Sequence, residues 1–254
     1  MTNWDLRGKR ALITGATKGI GKAIAEEFLD LGAEVIIVAR DKQALDELVR
    51  LWQTEGRPVT GVAGDVSKAE DRGWIKAAIE ERWGALDVLV NNAGTNVRKK
   101  IEEYSEDEIR YVLDVNFFSA VELSRMCLHY LRLGIRSSVI NIASVSGSVD
   151  TRSGAPYGTS KAALIQLSRI LAVEWAEYGI RVNTVSPSYT ETPLTAAILS
   201  QPDRLQNIID RTPLRRVAQV EEVAGAVAFF AMDKASYITG QNIVIDGGLL
   251  AKGL

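Results

Sequence analysis

Tyr157 and Lys161 stand four positions apart, a spacing suited to acid–base chemistry. If both lie on one helix, the phenol and the ammonium project from the same face one turn apart and can share a ligand. A phenol ordinarily has a pKa near ~10, and a fixed cation beside it favours the phenolate, which lowers that pKa toward the range of an acid–base catalyst. The same pair also occurs by chance on surface helices, so a catalytic interpretation depends on the rest of the chain.

Composition limits the class of protein in which such a pair acts. The chain has 254 residues, of which 46% are hydrophobic, enough for the core of one large domain. Its formal net charge is -2, and the basic residues are scattered among acidic ones. Because this pattern gives no positive field for a polyanion, nucleic acid is not an expected partner.

The sequence contains one cysteine, Cys127, and one histidine, His129. A lone cysteine excludes a disulfide or a thiolate metal site within the chain, and we expect no metal. It also favours a reducing compartment. Residues 1–6 are polar and lack the apolar stretch of a signal peptide, and no apolar run reaches the ~18 residues of a membrane span. These features predict a cytoplasmic protein without a membrane partner.

Short apolar runs alternate with longer segments of helical periodicity. The runs are nearly continuous, which is typical of strands buried on both faces, and the alternation predicts βαβ units with right-handed crossovers. We therefore expect an α/β fold: a single domain over residues 1–254 with a Rossmann-type, doubly wound, seven-stranded parallel sheet. The predicted strands are residues 10–14, 34–39, 58–63, 86–91, 137–143, 180–185 and 242–245.

Local patterns predict where some helices begin and where the alternation stops. Ser67 with Glu70, and Ser105 with Glu108, have the spacing of capping boxes and mark helix starts. The segment 187–213 breaks the alternation and holds four of the six prolines. Because long irregular excursions often cover substrates, we expect 187–213 to be a substrate lid over the carboxyl edge of the sheet.

A glycine-rich turn follows the first predicted strand directly and opens the first helix. Glycines there let the backbone approach a pyrophosphate, whose charge is met by the free amides at the helix N-terminus. This position after the first strand predicts a dinucleotide site. The turn reads Thr14-Gly15-Ala16-Thr17-Lys18-Gly19-Ile20-Gly21.

The end of the second predicted strand indicates which dinucleotide binds. An acidic residue there bonds the ribose hydroxyls of NAD, whereas a basic one accommodates the 2′-phosphate of NADP. The sequence has Arg40 there, and Lys18 adds a second cation, so NADP (NADPH) is the predicted cofactor. Two alternatives stay open. Asp41 could bind a ribose hydroxyl if the strand ended one residue later, and Arg40 and Lys18 could be solvated surface charges.

Five motifs in this order resemble those of the short-chain dehydrogenase/reductase family, and the resemblance covers almost the whole chain. They are the glycine loop, Asn91-Asn92-Ala93-Gly94, Asn116, Ser144 and Tyr157-Gly158-Thr159-Ser160-Lys161. Within the family the sequence is most similar to the tropinone reductase-like branch. The segments that carry this likeness are Tyr157 to Lys161, Leu171-Ala172-Val173-Glu174-Trp175-Ala176, Ile180-Arg181-Val182-Asn183 and Ser236-Tyr237-Ile238-Thr239-Gly240-Gln241.

The resemblance implies a catalytic tetrad of Asn116, Ser144, Tyr157 and Lys161. Tyr157 would protonate the carbonyl oxygen as hydride arrives from the nicotinamide, and Ser144 would hydrogen-bond the same oxygen. Lys161 would bind the nicotinamide ribose and lower the pKa of the phenol. Asn116 would hold a water against Lys161 and so connect the site to solvent.

The resemblance also implies cofactor contacts along the chain. Ser188 replaces a glycine usual in the family, and if that position required a positive φ, serine would cost around 1 kcal/mol or more. The predicted cofactor-binding residues are Gly15, Thr17, Lys18, Gly19, Ile20, Gly21, Arg40, Asp65, Val66, Asn92, Gly94, Tyr157, Lys161, Pro187, Thr190 and Thr192.

Substrate contacts are expected from residues that mix aliphatic, aromatic and small polar groups, which predicts a small, fairly hydrophobic ketone. Glu191 could pair with an amine-bearing substrate, although a solvated carboxylate is the simpler interpretation. The segment 194–205 is expected to contribute as well. The predicted substrate-binding residues are Asn96, Ser144, Ser146, Val149, Tyr157 and Tyr189.

Two predicted long helices, residues 105–133 and 157–178, carry apolar residues around more of their circumference than one buried face requires. Family members pair subunits through these helices, and through the last strand for a second contact. We therefore expect a homodimer or homotetramer.

The sequence thus predicts an NADPH-dependent carbonyl reductase that also runs as an alcohol dehydrogenase. The same core serves a 3-oxoacyl thioester reductase or a sugar dehydrogenase, and both stay as alternatives. A non-catalytic NADPH-sensing protein is an alternative of another class. The complete tetrad argues against the sensor, because a protein that only binds the cofactor does not need Tyr157.

Overall fold

Seven parallel strands form one sheet at the centre of the computed structural model, which describes residues 4–252. The strands are β1 (Arg10–Thr14), β2 (Glu34–Ala39), β3 (Val59–Ala63), β4 (Val88–Asn91), β5 (Ser138–Ile142), β6 (Arg181–Pro187) and β7 (Asn242–Ile245). They lie in the order β3-β2-β1-β4-β5-β6-β7, and every neighbouring pair is parallel. The predicted sheet is confirmed. The predicted domain limits, residues 1 and 254, lie outside the described residues. So do residues 1–3 of the polar N-terminal segment 1–6.

Helices cover both faces of this sheet. They are α1 (Gly19–Asp30), α2 (Lys42–Thr54), α3 (Ala69–Arg82), α4 (Glu106–Leu113), α5 (Ser119–Arg132), α6 (Ala155–Glu174), α7 (Ala196–Leu199), α8 (Pro202–Arg211) and α9 (Val220–Ala231). Ile13 of β1 lies in one core with Phe28 of α1 and Val227 of α9. Its neighbour Leu12 lies in a second core with Ile75 of α3. Because successive side chains enter opposite cores, both sets must be apolar, which explains the continuous apolar runs.

Strand β1 is joined to β4 at both ends. At the carboxyl end, Thr14 Oγ1 accepts hydrogen bonds from the backbone amides of Asn92 and Ala93, each at 3.0 Å. At the other end, the buried Asp87 accepts from Arg10 Nε at 2.8 Å. Burial raises the pKa of Asp87, but its hydrogen bonds and the Arg10 charge outweigh that effect and hold the pKa below its ordinary value. The strand order reverses at β1 and β4, where a ligand crevice opens in sheets of this kind.

The two predicted capping boxes have different outcomes. Ser105 is confirmed as the cap of α4, since the Glu108 amide donates to its Oγ at 3.2 Å and its own amide donates to Glu108 Oε2 at 3.0 Å. The prediction at Ser67 is wrong. Its hydroxyl donates to Asp65 Oδ1 at 2.7 Å, and α3 begins two residues later with no side-chain cap. Asp65 offers a nearer acceptor, so Ser67 closes a local turn instead.

The helix predicted over residues 105–133 contains a wider turn. Helix α4 is followed by a π-helical turn, Asp114–Phe118, and then by α5. Such turns are rare and occur frequently at functional sites, and this one contains Asn116. The helix predicted over residues 157–178 is α6 followed by a 3₁₀ turn, Ala176–Tyr178.

The segment predicted as a lid is largely helical. Strand β6 runs through Pro187, two residues beyond its predicted end, and α7 and α8 follow. Ser188 is not strained, because the non-glycine residues with positive φ among residues 4–252 are Arg136, Arg152 and Arg215. The cost anticipated at that serine does not arise. No helix within the described range 4–252 is long and apolar enough to cross a bilayer.

Candidate active site

A cleft of about 730 Å³ lies at the carboxyl edge of the sheet, where the strand order reverses. Every residue predicted to bind the cofactor lines this cleft, and Ser144 lines it too. Arg40, after β2, and Tyr157, on α6, lie on opposite sides of the β1–β4 pair. The structure therefore brings the predicted cofactor residues and three of the four predicted catalytic residues into one elongated site.

The glycine loop is packed too closely for side chains. Gly15 has a φ of 67° and Gly19 a φ of 55°, in the left-handed region that glycine adopts without strain. A Cβ at Gly21 would overlap the Gly15 carbonyl oxygen and the Asn92 side-chain amide. That amide donates to the carbonyl oxygen of Thr14 at 2.8 Å and fixes the loop against β4. The loop backbone and the first amides of α1 thus form a cradle that fits a pyrophosphate.

Arg40 and Asp41 follow β2 directly, and both line the cleft. The Asp41 carboxylate caps α2, because its Oδ1 accepts the Ala44 amide at 3.1 Å. Arg40 stays largely exposed at the edge of the cleft, where Nη1 donates to Tyr111 Oη at 3.2 Å and lies 3.9 Å from Asp65 Oδ2. Lys18 lines the same cleft. Two cations therefore border the end where an adenosine ribose phosphate would lie.

Tyr157 lies partly buried at the other end of the cleft, on the first turn of α6. Burial raises the pKa of its phenol, opposed by a hydrogen bond with Ser144 and by the charge of Arg98. This corrects the prediction that Lys161 lowers that pKa. The Lys161 Nζ lies 5.7 Å from the Tyr157 ring centroid, and loss of hydration at the phenol outweighs the nearby charges.

Lys161 projects from the same face of α6 and is itself buried. Its Nζ donates to the Ile142 carbonyl oxygen, at the end of β5, at 2.8 Å. Burial lowers the pKa of Lys161 to about 8, because the ammonium loses hydration that one carbonyl replaces only in part. The Nζ would lie 3.6 Å from a Cβ at Gly94, so the glycine keeps the approach to the amine open.

Asn116 lies behind the cleft and does not line it. Its side chain bonds both backbone groups of Thr95, accepting the amide at 2.7 Å and donating to the carbonyl at 3.0 Å. Its Nδ2 also donates to Ser160 Oγ at 3.1 Å. The side chain thus clamps the loop after β4 to α6. The water expected between Asn116 and Lys161 stays a prediction.

The predicted substrate residues divide between two sites: Val149 and Tyr189 line a second cavity, Ser144 and Tyr157 line the cleft, and Asn96 and Ser146 line neither. This cavity has a volume of about 980 Å³, and Val149 and Tyr189 line it beneath α8. Ser146 connects this cavity with Ser144 of the cleft, because its Oγ accepts from Ser144 Oγ at 3.1 Å and bonds Oγ1 of Thr151, which lines the cavity, at 2.6 Å. Glu191 is exposed and lines neither the cleft nor the cavity, as expected of a solvated carboxylate.

Several residues of the site were not found from the sequence. Tyr111 contacts Arg40, and Thr95 is held by Asn116. Arg98 is close enough to act on the pKa of both Tyr157 and Tyr189. The one available signal was the position of Arg98 shortly after β4, at the edge of the sheet where ligands bind.

The sequence has extensive matches to known proteins. A family model described as "Enoyl-(Acyl carrier protein) reductase" matches residues 15–250. A tropinone reductase homolog of Arabidopsis thaliana is 41% identical over 251 residues, which cover 98% of this chain and 95% of the relative. A second homolog from the same plant is also 41% identical, over 253 residues, and covers 99% of this chain and 94% of the relative.

Solved structures match over nearly the whole fold. A putative gluconate dehydrogenase from Agrobacterium tumefaciens has a TM-score of 0.95 and 30% identity, with both chains covered over 100% of their length. A gluconate 5-dehydrogenase from Burkholderia cenocepacia, in complex with NADP and tartrate, has a TM-score of 0.93 and 31% identity, with 98% of each chain covered.

Fold and site together define an NAD(P)-dependent oxidoreductase. The chain belongs to the short-chain dehydrogenase/reductase family, and the likeness to tropinone reductases expected from its motifs is confirmed by the two plant relatives.

Proposed function

We propose that the protein is an NADPH-dependent carbonyl reductase that interconverts a ketone and a secondary alcohol. The observation that carries this proposal is the meeting of Ser144, Tyr157 and Lys161 at one end of the cleft whose other end presents Arg40. Reversible carbonyl reduction requires two hydroxyls that hydrogen-bond the carbonyl oxygen and a buried cation that binds a ribose. The side chains of Ser144, Tyr157 and Lys161 supply these groups.

NADP(H) is the cofactor that the residues of the cleft favour. Arg40 and Lys18 supply positive charge for a ribose phosphate, while Asp41, the competing carboxylate, is used as the cap of α2. The solved Burkholderia relative, whose complex contains NADP, supports the same choice. When bound, NADPH supplies the hydride for the reduction.

Each catalytic side chain then has a separate task. Because burial raises the pKa of Tyr157, its phenol stays protonated near neutral pH, which is the form that donates a proton to the carbonyl oxygen. Ser144 hydrogen-bonds that oxygen and is itself positioned by Ser146, whose amide donates to Ser144 Oγ at 3.1 Å. Lys161 Nζ, fixed by Ile142, offers its remaining protons to ribose hydroxyls.

The substrate enters from the cavity beneath α8, and α7 and α8 form the lid. Val149, Ile198, Ile208 and Leu249 give this cavity aliphatic walls, which favours a ketone with an aliphatic body. Its volume of about 980 Å³ exceeds what the smallest ketones fill.

A second candidate is a dehydrogenase acting on a sugar or sugar acid. Two solved relatives with TM-scores of 0.93 and 0.95 are described as gluconate dehydrogenases. The polar side chains of Ser146, Thr151 and Ser153, bonded to one another beside the catalytic serine, suit a polyhydroxylated substrate. Turnover of aliphatic ketones with NADPH, compared with oxidation of gluconate and glucose with NADP, separates the two candidates.

The test of the proposed function is the variant Tyr157→Phe, assayed by NADPH oxidation across ketones, 3-oxoacyl thioesters and sugars. Loss of the proton donor should lower kcat by about 10³-fold, while NADPH binding, measured by fluorescence titration, stays unchanged. Tyr237→Phe is the matched control, because Tyr237 is fully exposed. Undiminished turnover in Tyr157→Phe would overturn the mechanism. Tight NADPH binding without turnover of any carbonyl would favour the sensor.

A further inference from the structure

Arg98 and Asn96, in the loop after β4, carry buried polar atoms that bond to nothing within residues 4–252. These atoms are Arg98 Nε and both Nδ2 and Oδ1 of Asn96. Arg98 Nη2 reaches the Leu194 carbonyl oxygen only at 3.5 Å, which is long for a hydrogen bond. In that part of the chain no carboxylate pairs with Arg98. Because buried polar groups in proteins are ordinarily hydrogen-bonded, these two donors and one acceptor are suited to hydrogen-bond a ligand.

The position of Arg98 relates it to the reacting atoms. Burial raises the pKa of Tyr157, in the cleft, and of Tyr189, in the substrate cavity, and the charge of Arg98 opposes that rise at each phenol. It also contacts Leu194, which lines the cleft. The guanidinium therefore lies near both phenols and beside the Leu194 part of the cleft wall, although Arg98 itself lines neither the cleft nor the cavity.

The charged residues of the substrate cavity are positive on balance. In a protein whose net charge is -2, four cations and two carboxylates line this cavity. The cations are Arg152, Arg204, Arg211 and Lys252, and the carboxylates are Asp150 and Asp203. A positive cavity attracts anions and disfavours the amine-bearing substrate considered for Glu191.

We propose that Arg98, supported by Asn96, binds a carboxylate of the substrate, so that the reaction interconverts a keto acid and a hydroxy acid. The proposal rests on the proposed function and specifies its substrate class. A guanidinium bonds a carboxylate through two parallel N–H donors, and the Asn96 amide adds a further donor. The carboxylate is thereby held while the carbonyl faces Tyr157 and Ser144.

The test compares keto acids with their neutral esters: levulinate and acetoacetate against the methyl ester of each. The wild-type protein should favour each acid over its ester in kcat/KM. Arg98→Gln should lower kcat/KM for the acids by about 100-fold, mainly through KM, and change it for the esters by less than about 3-fold. Arg98→Lys should restore part of the preference, since it keeps the charge without the planar pair of donors.

Lys100→Gln is the matched control, because it removes the same charge from an exposed side chain two residues away and should leave both substrate types unaffected. Equal use of acid and ester by the wild-type protein overturns the proposal. So does an equal loss for both in Arg98→Gln together with a shifted pH profile, since Arg98 would then act only on the ionisation of Tyr157.

A binding measurement separates this proposal from the proposed function. Titration calorimetry of NADP-loaded protein with glutarate, a dicarboxylate without a carbonyl to reduce, should show binding that weakens at least about 10-fold in Arg98→Gln. Glutaramide, the neutral analogue, should not bind. If no carbonyl is reduced but this difference persists, the proposed function fails and the carboxylate site stands. If glutarate and glutaramide behave alike, the carboxylate site fails, whatever the turnover.

Discussion

Single residues determine which cofactor this site accepts, and their roles depend on what their neighbours do. Asp41 is next to Arg40 and has the chemistry to bind a ribose, yet its carboxylate is occupied by the first turn of α2. Arg40, by contrast, donates to Tyr111 Oη at 3.2 Å, lies 3.9 Å from Asp65 Oδ2 and remains at the edge of the cleft. The two residues that follow β2 therefore offer the cleft opposite charges, and that of Arg40 suits a ribose phosphate.

Arg40→Ala should weaken NADPH binding by about 100-fold, because a charge-assisted contact to the 2′-phosphate is lost, and should change NADH binding by less than about 3-fold. Fluorescence titration of both cofactors measures the difference. Arg50→Ala removes the same charge from an exposed position on α2 and should leave both affinities unchanged. Equal weakening of NADPH and NADH by the Arg40 substitution contradicts the assignment.

The identities of the residues that line the cleft were largely predictable from the sequence, whereas their pKa values and mutual contacts were not. Tyr157 and Lys161 share a helix face, and such a local spacing is readable in a sequence. The direction in which the pKa of Tyr157 shifts depends on burial by segments distant in the chain, and so the prediction made from the sequence had the wrong sign. The clamp from Asn116 to Thr95, and the unpartnered Arg98, also arise from contacts between separate loops.

At the scale of elements, the start of α1 is shaped by close approach. Gly21 lies against the Gly15 carbonyl oxygen and the Asn92 amide, and so even one methyl group displaces the loop from β4. The dinucleotide cradle is thus a packing arrangement between β1, α1 and the loop after β4.

Gly21→Ala should reduce NADPH affinity and lower the free energy of unfolding by about 1–3 kcal/mol, as overpacking does elsewhere. Gly73→Ala is its control within helix α3, where a Cβ meets nothing within 4 Å. There the substitution should stabilise the protein by about 0.5–1 kcal/mol through helix propensity and leave NADPH affinity unchanged. Urea unfolding and cofactor titration give both quantities. Normal NADPH affinity in Gly21→Ala would mean that the loop tolerates displacement.

Helix boundaries were the weaker part of the prediction at this scale. Ser105 caps α4 as its spacing indicated, but Ser67 does not cap α3, because Asp65 competes for its hydroxyl. The π turn at Asp114–Phe118 has no signal in the apolar periodicity, since it is imposed by packing of the helix against α6 and the loop after β4. Two sequence patterns with the same spacing can therefore have different outcomes, and the contacts that each makes in the folded structure determine which.

At the scale of the whole molecule, apolar side chains remain exposed on the helices expected to pair subunits. Phe118, beside α5, is 52% exposed, and Val173, on α6, is 79% exposed. Leu133, at the end of α5, and Ile170, on α6, are exposed apolar side chains of the same two helices. Exposed apolar groups concentrated in this way are typical of subunit interfaces, and we propose that α5 and α6 pair two copies of this chain.

The double variant Phe118→Arg/Val173→Arg should be a monomer, whereas the wild-type protein should be a dimer or a tetramer. Two buried, unpaired charges at the centre of a symmetric interface are repeated in each subunit and prevent association. Light scattering after size-exclusion chromatography measures the mass. Trp74→Arg alters a comparably exposed residue on α3 and should not change it. A monomeric wild-type protein contradicts the proposed interface.

The buried ammonium of Lys161 links catalytic chemistry to the endurance of the fold. With a pKa near 8, this group is charged in the folded protein at neutral pH, and there it lacks the hydration it has in an unfolded chain. This loss of hydration should lower the free energy of unfolding at neutral pH. We therefore expect an apolar side chain of equal length at this position to raise the melting temperature and, under the proposed function, to abolish turnover. The heat tolerance of the protein would then depend on this one buried charge as well as on its core.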